Sequence, residues 1–450
     1  MRLVLPATAL GLTLALAGCD QLAPLFKKEP TREELFVLKL SQGEAAAQAG
    51  NFDEAIARYK EASGFSASNT TPTKALGKLY ERIGDSRQAL LTLRQILVYT
   101  PDDLDVQKQL ADLYTLDGND EAAAKQLRTL VDASPGEPDL GLVRQLASAL
   151  IRTRQLEEAL PLVTRIEDVA PGAADAIGLR AEFALAEGDE DEGARLLDEA
   201  VRAGESSIYV RLLRGRYFLA RGNAEAARDE LAIATGLAPD NPEIVRLHAN
   251  ALYLLERYAE ASALLADLLQ SRPRDLKLRG LLAEVKLAEE SAADALTLAE
   301  SILSAAPNDP QALFLRARAI ELSNPDSLMP AIGAYRQLLT QHPSHMPTLH
   351  RLWKLLIDIG EKTEALTTLE RLLTLERTTS EEDIALAELY IETALNLPRA
   401  QKLIEAALKD NPGDEELLAL HQQLKARLKE VPPRRSGPGR SGIQILRGGR

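Results

Sequence analysis

Residues 104–135 read LDVQKQLADLYTLDGNDEAAAKQLRTLVDASP. The apolar spacing predicts one helix from Leu104 to Leu116, a turn at Asp117, Gly118 and Asn119, and a second helix from Asn119 to Ala133. Asn119 is placed to cap the second helix. Pro135 stops it, because proline has no amide donor and turns the preceding residue away from helical geometry. Stepping 34 residues along the chain in either direction returns the same pattern.

Three columns define the repeat. Gly77, Ala111, Ala147, Ala181, Gly215, Ala249, Ala283 and Ala317 share one, where a side chain no larger than methyl lets two helices approach. Ala55, Ala89, Ala123, Ala159, Ala227, Ala261, Ala295, Ala331, Ala365 and Ala400 share the second, with Gly193 as the exception. Pro101, Pro135, Pro171, Pro239, Pro273, Pro307, Pro343 and Pro412 mark the ends. A fourth, apolar column of Leu93, Leu127, Val163, Leu197, Leu231, Leu265, Tyr335, Leu369 and Ile404 is expected to point inward. A hairpin of this size cannot bury its apolar face alone and must stack on copies of itself.

The Gly-Asp and Gly-Asn turns at 84, 118, 188 and 222, with Tyr80, Tyr114, Phe218 and Tyr390 at a fixed offset, resemble the tetratricopeptide repeat pattern. The resemblance implies an all-α, right-handed α-solenoid of about eleven repeats within residues 31–412, followed by a capping helix over 413–430. Leu417, Leu418, Leu424 and Leu428 are expected on the buried side of that cap. Departures from the pattern are two extra residues after Pro135, two more near Asn324 and Pro325, and Trp353 where a small residue is usual. Thr31 and Glu34 form an expected capping box that opens the first helix.

The ends of the chain carry an address. Arg2 precedes an apolar run from Leu3 to Ala17, too short to span a bilayer, and Leu16-Ala17-Gly18-Cys19 resembles the lipobox of bacterial lipoproteins. Residues 1–18 are expected to be removed and Cys19, the chain's one cysteine, to carry the lipid. Residues 19–30 are then a tether to a membrane, and Asp20 resembles the signal that retains lipoproteins at the inner membrane. The expected location is the bacterial cell envelope, facing the periplasm. Residues 431–450 hold five arginines and no acid among Gly, Pro and Ser, and are expected to form a basic disordered tail.

The formal charge of −14 argues against a nucleic-acid groove. Aromatic residues at 4% argue against stacking on sugar rings, the interaction that would favour guidance of an exported polysaccharide, the rival reading. Gly437, Gly439 and Gly442 spell GxGxxG without the strand and helix a dinucleotide loop requires. The acidic turn 188–193 lacks calcium-loop order. His342, His345 and His350 fall close in sequence as metal candidates, but two of them flank a turn proline and the third lies on the following helix. No HExxH or GxSxG occurs. The expectation is therefore neither an enzyme nor a cofactor or metal carrier.

In the tetratricopeptide family the ligand usually lies in a concave groove formed by the first helices, at positions 2, 5, 9, 12 and 13 of each repeat. Carried over, these include Lys74, Lys78, Arg82, Arg144 and Arg152, together with Tyr209, Arg216, Arg246, Asn250, Tyr253, Phe314 and Arg318. Arginine beside tyrosine is a common interface anchor. The contact patch is expected at Tyr209, Arg216, Arg246, Asn250 and Tyr253, and the implied partners are other envelope proteins or peptides.

Overall fold

The computed structural model describes residues 30–66, 69–133, 139–375 and 379–430. The leader, Cys19, Asp20, most of the tether, Pro135 and the tail from Val431 lie outside the described residues. Within these bounds all regular structure is helical, in 23 helices, and the α-solenoid class expected from the repeat is borne out. The chain clusters into two units, the first holding the described residues up to Val210 with Ser271–Arg274, the second Arg211–Gln270 with Asp275 onward.

The first unit contains α1 (Arg32–Gln48), α2 (Phe52–Phe65), α3 (Thr71–Arg82), α4 (Ser86–Tyr99), α5 (Leu104–Asp117), α6 (Asp120–Ala133), α7 (Leu140–Arg152), α8 (Leu156–Val169), α9 (Ala174–Glu187) and α10 (Glu190–Ala203). Consecutive helices pack as hairpins, and α7 also lies against α9, so first helices of neighbouring repeats touch. One core runs unbroken from Ala46 to Phe183. The columns have steric reasons. A Cβ on Gly77 would stand 2.8 Å from Leu93 Cδ2, and one on Gly193 only 2.4 Å from Leu185 Cδ2. Leu185 therefore occupies the space that alanine fills in other repeats.

The second unit continues from α11 (Ile208–Ala220), which begins in the first, through α12 (Ala224–Leu237), α13 (Pro242–Leu254), α14 (Tyr258–Ser271), α15 (Leu276–Ala288) and α16 (Ala292–Ala305). It ends with α17 (Pro310–Ser323), α18 (Met329–Gln341), α19 (Met346–Asp358), α20 (Lys362–Leu373), α21 (Ser380–Glu392), α22 (Leu397–Asp410) and α23 (Glu415–Glu430). First helices again stack, α13 on α15 and α15 on α17. The inward column is fully buried here too, with Leu231, Leu265, Tyr335 and Leu369 at 0% exposure. Truncating such a leucine to alanine costs about 3 kcal/mol.

Turn chemistry fixes each hairpin. Asp85, Asn119, Asp189 and Asn223 accept from backbone amides in the first turn of the second helix, and the Thr31–Glu34 capping box is present. Gly84, Gly118, Gly188 and Gly222 precede these caps with φ between 72° and 93°. The same step is taken by Arg154, Glu256 and Glu290 at φ 58–61°, where a side chain opposes the left-handed backbone.

The closing helix differs from expectation. Leu417, Leu420 and Leu424 are buried, whereas Leu418 and Leu428 are 42% and 41% exposed. The buried stripe follows i, i+3, i+7, and Leu418 is turned about 100° away from it.

Candidate functional site

The faces of the first helices are held together by rungs. A residue at position 9 of one repeat meets position 2 of the next, 27 residues on. Tyr209 Oη donates to Glu182 Oε2 at 2.7 Å, Arg216 pairs with Glu243, Gln311 Nε2 donates to Glu284 at 2.5 Å, and Lys354 Nζ donates to Glu381 at 2.9 Å. These four rungs use different residue types at the same two places. Two helical turns separate positions 2 and 9, which compensates the slip between stacked helices. Complementary residue types at this spacing are readable in the sequence, and this is the signal that reading single columns missed.

In the first unit a rung grows into a cluster. Glu182, buried at 7% exposure, accepts from Ser148 Oγ at 2.6 Å as well as from Tyr209, and lies 3.6 Å from Arg152. Arg152 also donates to Asp120 at 2.7 Å and to Ser148 at 2.7 Å. Arg144 stands over the Tyr209 ring at 4.2 Å and beside Asp175 at 3.3 Å. A carboxylate removed from water is costly unless donors replace its hydration. Burial, and then the Glu182 charge, push the Tyr209 phenol well above its ordinary pKa.

The second unit builds a similar cluster on Glu321, 9% exposed. Tyr335 Oη donates to it at 2.7 Å, Arg351 Nε at 2.9 and 3.1 Å, and Arg318 lies 3.9 Å away. Burial works against the Glu321 charge, but the bonds from Arg351 and Tyr335 outweigh it and hold the carboxyl below its usual pKa. Phe314 packs on Tyr335 and on His345, with ring centroids 6.0 and 5.6 Å apart.

The structure thus distributes the expected contact residues among different tasks. Lys74 pairs with Asp103, Arg82 lies over the Phe52 ring, and Lys78 is exposed. Tyr209 belongs to the first unit, and Arg216, Arg246, Asn250 and Tyr253 to the second. There Arg216 is tied to Glu243 on α13, the helix that carries the other three. Tyr253 packs on Tyr258 at 5.4 Å. Asn250, half-buried at position 9, makes no side-chain hydrogen bond within the described residues. Phe314 and Arg318 belong to the Glu321 cluster.

The three histidines do not converge. His342 Nε2 meets the Asn308 carbonyl at 2.9 Å, His345 Nδ1 meets Thr348 Oγ1 at 2.8 Å, and His350 Nδ1 meets Glu382 at 2.8 Å. His345 stands in the N-cap column that Asp103, Asn241, Asp275 and Asp309 occupy elsewhere. Among the described residues no group of three His, Cys, Asp or Glu side chains is gathered as for a metal.

Comparison with known proteins fits this architecture. Residues 252–319 match one family model described as tetratricopeptide repeat, and residues 74–138, 144–208 and 212–276 match another of the same description. A stretch of 171 residues, 35% of this chain, is 28% identical to the cytochrome c-type biogenesis protein CycH of Pseudomonas aeruginosa. The match spans 42% of that relative's length. Among solved structures, yeast Tom70 aligns with a TM-score of 0.37 at 15% identity, over 89% of this chain and 97% of that one. The TPR domain of P58(IPK) aligns with a TM-score of 0.33 at 16% identity, over 88% and 98%. The two family models together span more than half of the sequence, and the chain belongs to the tetratricopeptide repeat family.

Proposed function

We propose that this protein is a lipid-anchored scaffold of a bacterial cell envelope that holds extended segments of other envelope proteins on the faces of its first helices, without catalysing a reaction. The observation that carries the reading is the open rung at Asn250. Among the described residues, position 9 is matched by the next repeat at Glu182, Arg216, Glu284 and Lys354 but not at Lys78, Asp112 or Arg318. Of the unmatched places Asn250 is the half-buried neutral amide, which keeps a donor and an acceptor for a ligand backbone. Arg246 and Tyr253 flank it one turn to either side, and they suit a carboxylate and an apolar side chain. The anchor rests on Leu16-Ala17-Gly18-Cys19, and inner-membrane retention on Asp20.

A photo-crosslinking amino acid placed at Leu254, exposed and one turn from Asn250, tests the groove in living cells. Adducts with an extended segment of another envelope protein, lost on Asn250→Ala or Tyr253→Ala, are expected. Adducts that form at Asp132 on α6 but never at 254 would refute the patch. Arg216→Glu is a poor substitute, because it would set two carboxylates against each other across the rung to Glu243. For the anchor, Cys19→Ser should abolish acyl labelling, and persistence of the label would disprove it.

The stretch similar to a cytochrome c-type biogenesis protein favours a narrower second reading, in which the segments held belong to the assembly of c-type cytochromes. Deletion of the gene should then deplete covalently bound haem in the envelope. An unchanged haem stain would leave only the general scaffold.

A further inference from the structure

The outer face of α4 departs from the rest of the molecule in two independent ways. Leu91, Val98 and Tyr99 are 52%, 77% and 62% exposed. They stand at i, i+7 and i+8, on one stripe of the helix, with exposed Gln95 between them. The helix also carries Arg87 and Arg94 and no acid, in a chain of net charge −14. Among the second helices of the described hairpins only α18 shares that lack of acid. The next such helix, α6, has Asp132 in the place of Val98, and Glu121 and Lys125 exposed on its surface. Arg94 donates from Nε to Tyr114 Oη at 2.8 Å but stays exposed. The apolar stripe therefore has Arg87 and the outer edge of the Arg94 guanidinium beside it and a tyrosine at its edge, which is the chemistry of a surface that lies on anionic lipid.

We propose that the α4 face centred on Leu91, Val98 and Tyr99 rests on an anionic phospholipid bilayer. Its placement rests on the Cys19 anchor proposed above. The residues from Asp20 to Pro30 reach at most about 40 Å when fully drawn out, so the first repeats stay close to the membrane surface. With the body held there, even weak insertion of three side chains is favoured by high local concentration.

The acylated full-length protein has no free thiol once Cys19 carries lipid, so Val98→Cys or Asp132→Cys gives a single spin-label site. On vesicles of phosphatidylcholine and phosphatidylglycerol, the label at 98 should lose collisions with aqueous nickel and gain collisions with oxygen. The label at 132 should keep its nickel access. In parallel, the unacylated chain from residue 19 onward with Cys19→Ser, free of the apolar leader, should bind the same vesicles weakly, and Leu91→Ser, Val98→Ser and Tyr99→Ser together should weaken that binding about tenfold or more. These positions are exposed, and an unchanged helical spectrum confirms the fold of the variant.

A nickel-accessible label at 98 on acylated protein that still floats with vesicles would overturn the α4 proposal and leave the anchor standing. A label shielded before vesicles are added would overturn it too, in favour of a second copy or a protein partner. Absence of acylation would sink the anchor alone. The serine variant then decides the α4 proposal, which fails if that variant binds vesicles as well as its parent.

Discussion

Glu182 and Glu321 are both buried carboxylates bonded by a tyrosine and faced by arginine, yet they join different parts. Glu182 on α9 links first helices only, taking Ser148 and Arg152 from α7 and Tyr209 from the start of α11. Glu321 on α17 takes Tyr335 from the second helix of its own hairpin and Arg351 from the next repeat. The second arrangement is also wetter: the Arg351 side chain is 39% exposed against 25% for Arg152. A polar cluster can therefore lock repeat to repeat, or bridge a hairpin to its neighbour with one cation left near water. The same repeat framework permits either because position 9 and position 12 both face the stack.

The largest effect should come from removing each carboxylate. Glu182→Ala leaves Ser148, Tyr209 and one side of Arg152 without their acceptor inside the protein, and should cost about 3 kcal/mol. Glu321→Ala should cost less, about 2 kcal/mol, because Arg351 can turn toward solvent. Urea titration of the full chain followed by circular dichroism measures both. Equal losses would show that exposure of the arginine does not distinguish the clusters.

Alkaline pH probes the tyrosines of the same pair. Burial first, and the partner carboxylate second, raise both phenols above their ordinary pKa. The folded-state value lies above the unfolded one, near 10, so the contribution is complete below that pH and is lost as pH rises above it. Thermal unfolding temperature should therefore fall above pH of about 10, and less steeply in Tyr209→Phe and Tyr335→Phe. Curves parallel to that of the parent protein would mean the hydroxyls are not held in their neutral form.

Much of this was legible in the sequence. The alanine and leucine columns are the core, the Gly-Asp and Gly-Asn turns cap as their side chains require, and the Thr31–Glu34 box is in place. Side-chain pairing across repeats was not read, because single columns carry no information on which residue of one repeat meets which of the next. Arg216 looked like an interface anchor and is engaged by Glu243. Leu418 looked buried, but it stands one step of about 100° off the stripe of Leu417, Leu420 and Leu424 by which α23 packs, and it is exposed. His345, a weak metal candidate by its place in the sequence, occupies a capping column.

The smallest effect separates cluster energetics from turn energetics. Arg154 in the first unit and Glu290 in the second hold left-handed backbone at φ 61° and 59°, at a step where Gly84, Gly118, Gly188 and Gly222 stand in other repeats. A side chain there costs about 1 kcal/mol or slightly more, partly offset by the greater freedom glycine brings to the unfolded chain. Glu290→Gly should stabilise by roughly 0.5 kcal/mol and Arg154→Gly by less, read as a small rise in the urea midpoint. The Glu290→Gly gain should be the same in the parent and in the Glu321→Ala background, because that turn shares no partner with the Glu321 cluster. Arg154 stands two residues from Arg152 and donates to the Ala186 carbonyl on α9, so its gain should be smaller and should depend on Glu182. A Glu290→Gly gain that vanished when Glu321 was removed would show that turn strain is carried by the buried carboxylate, and the two levels of organisation would no longer be separable.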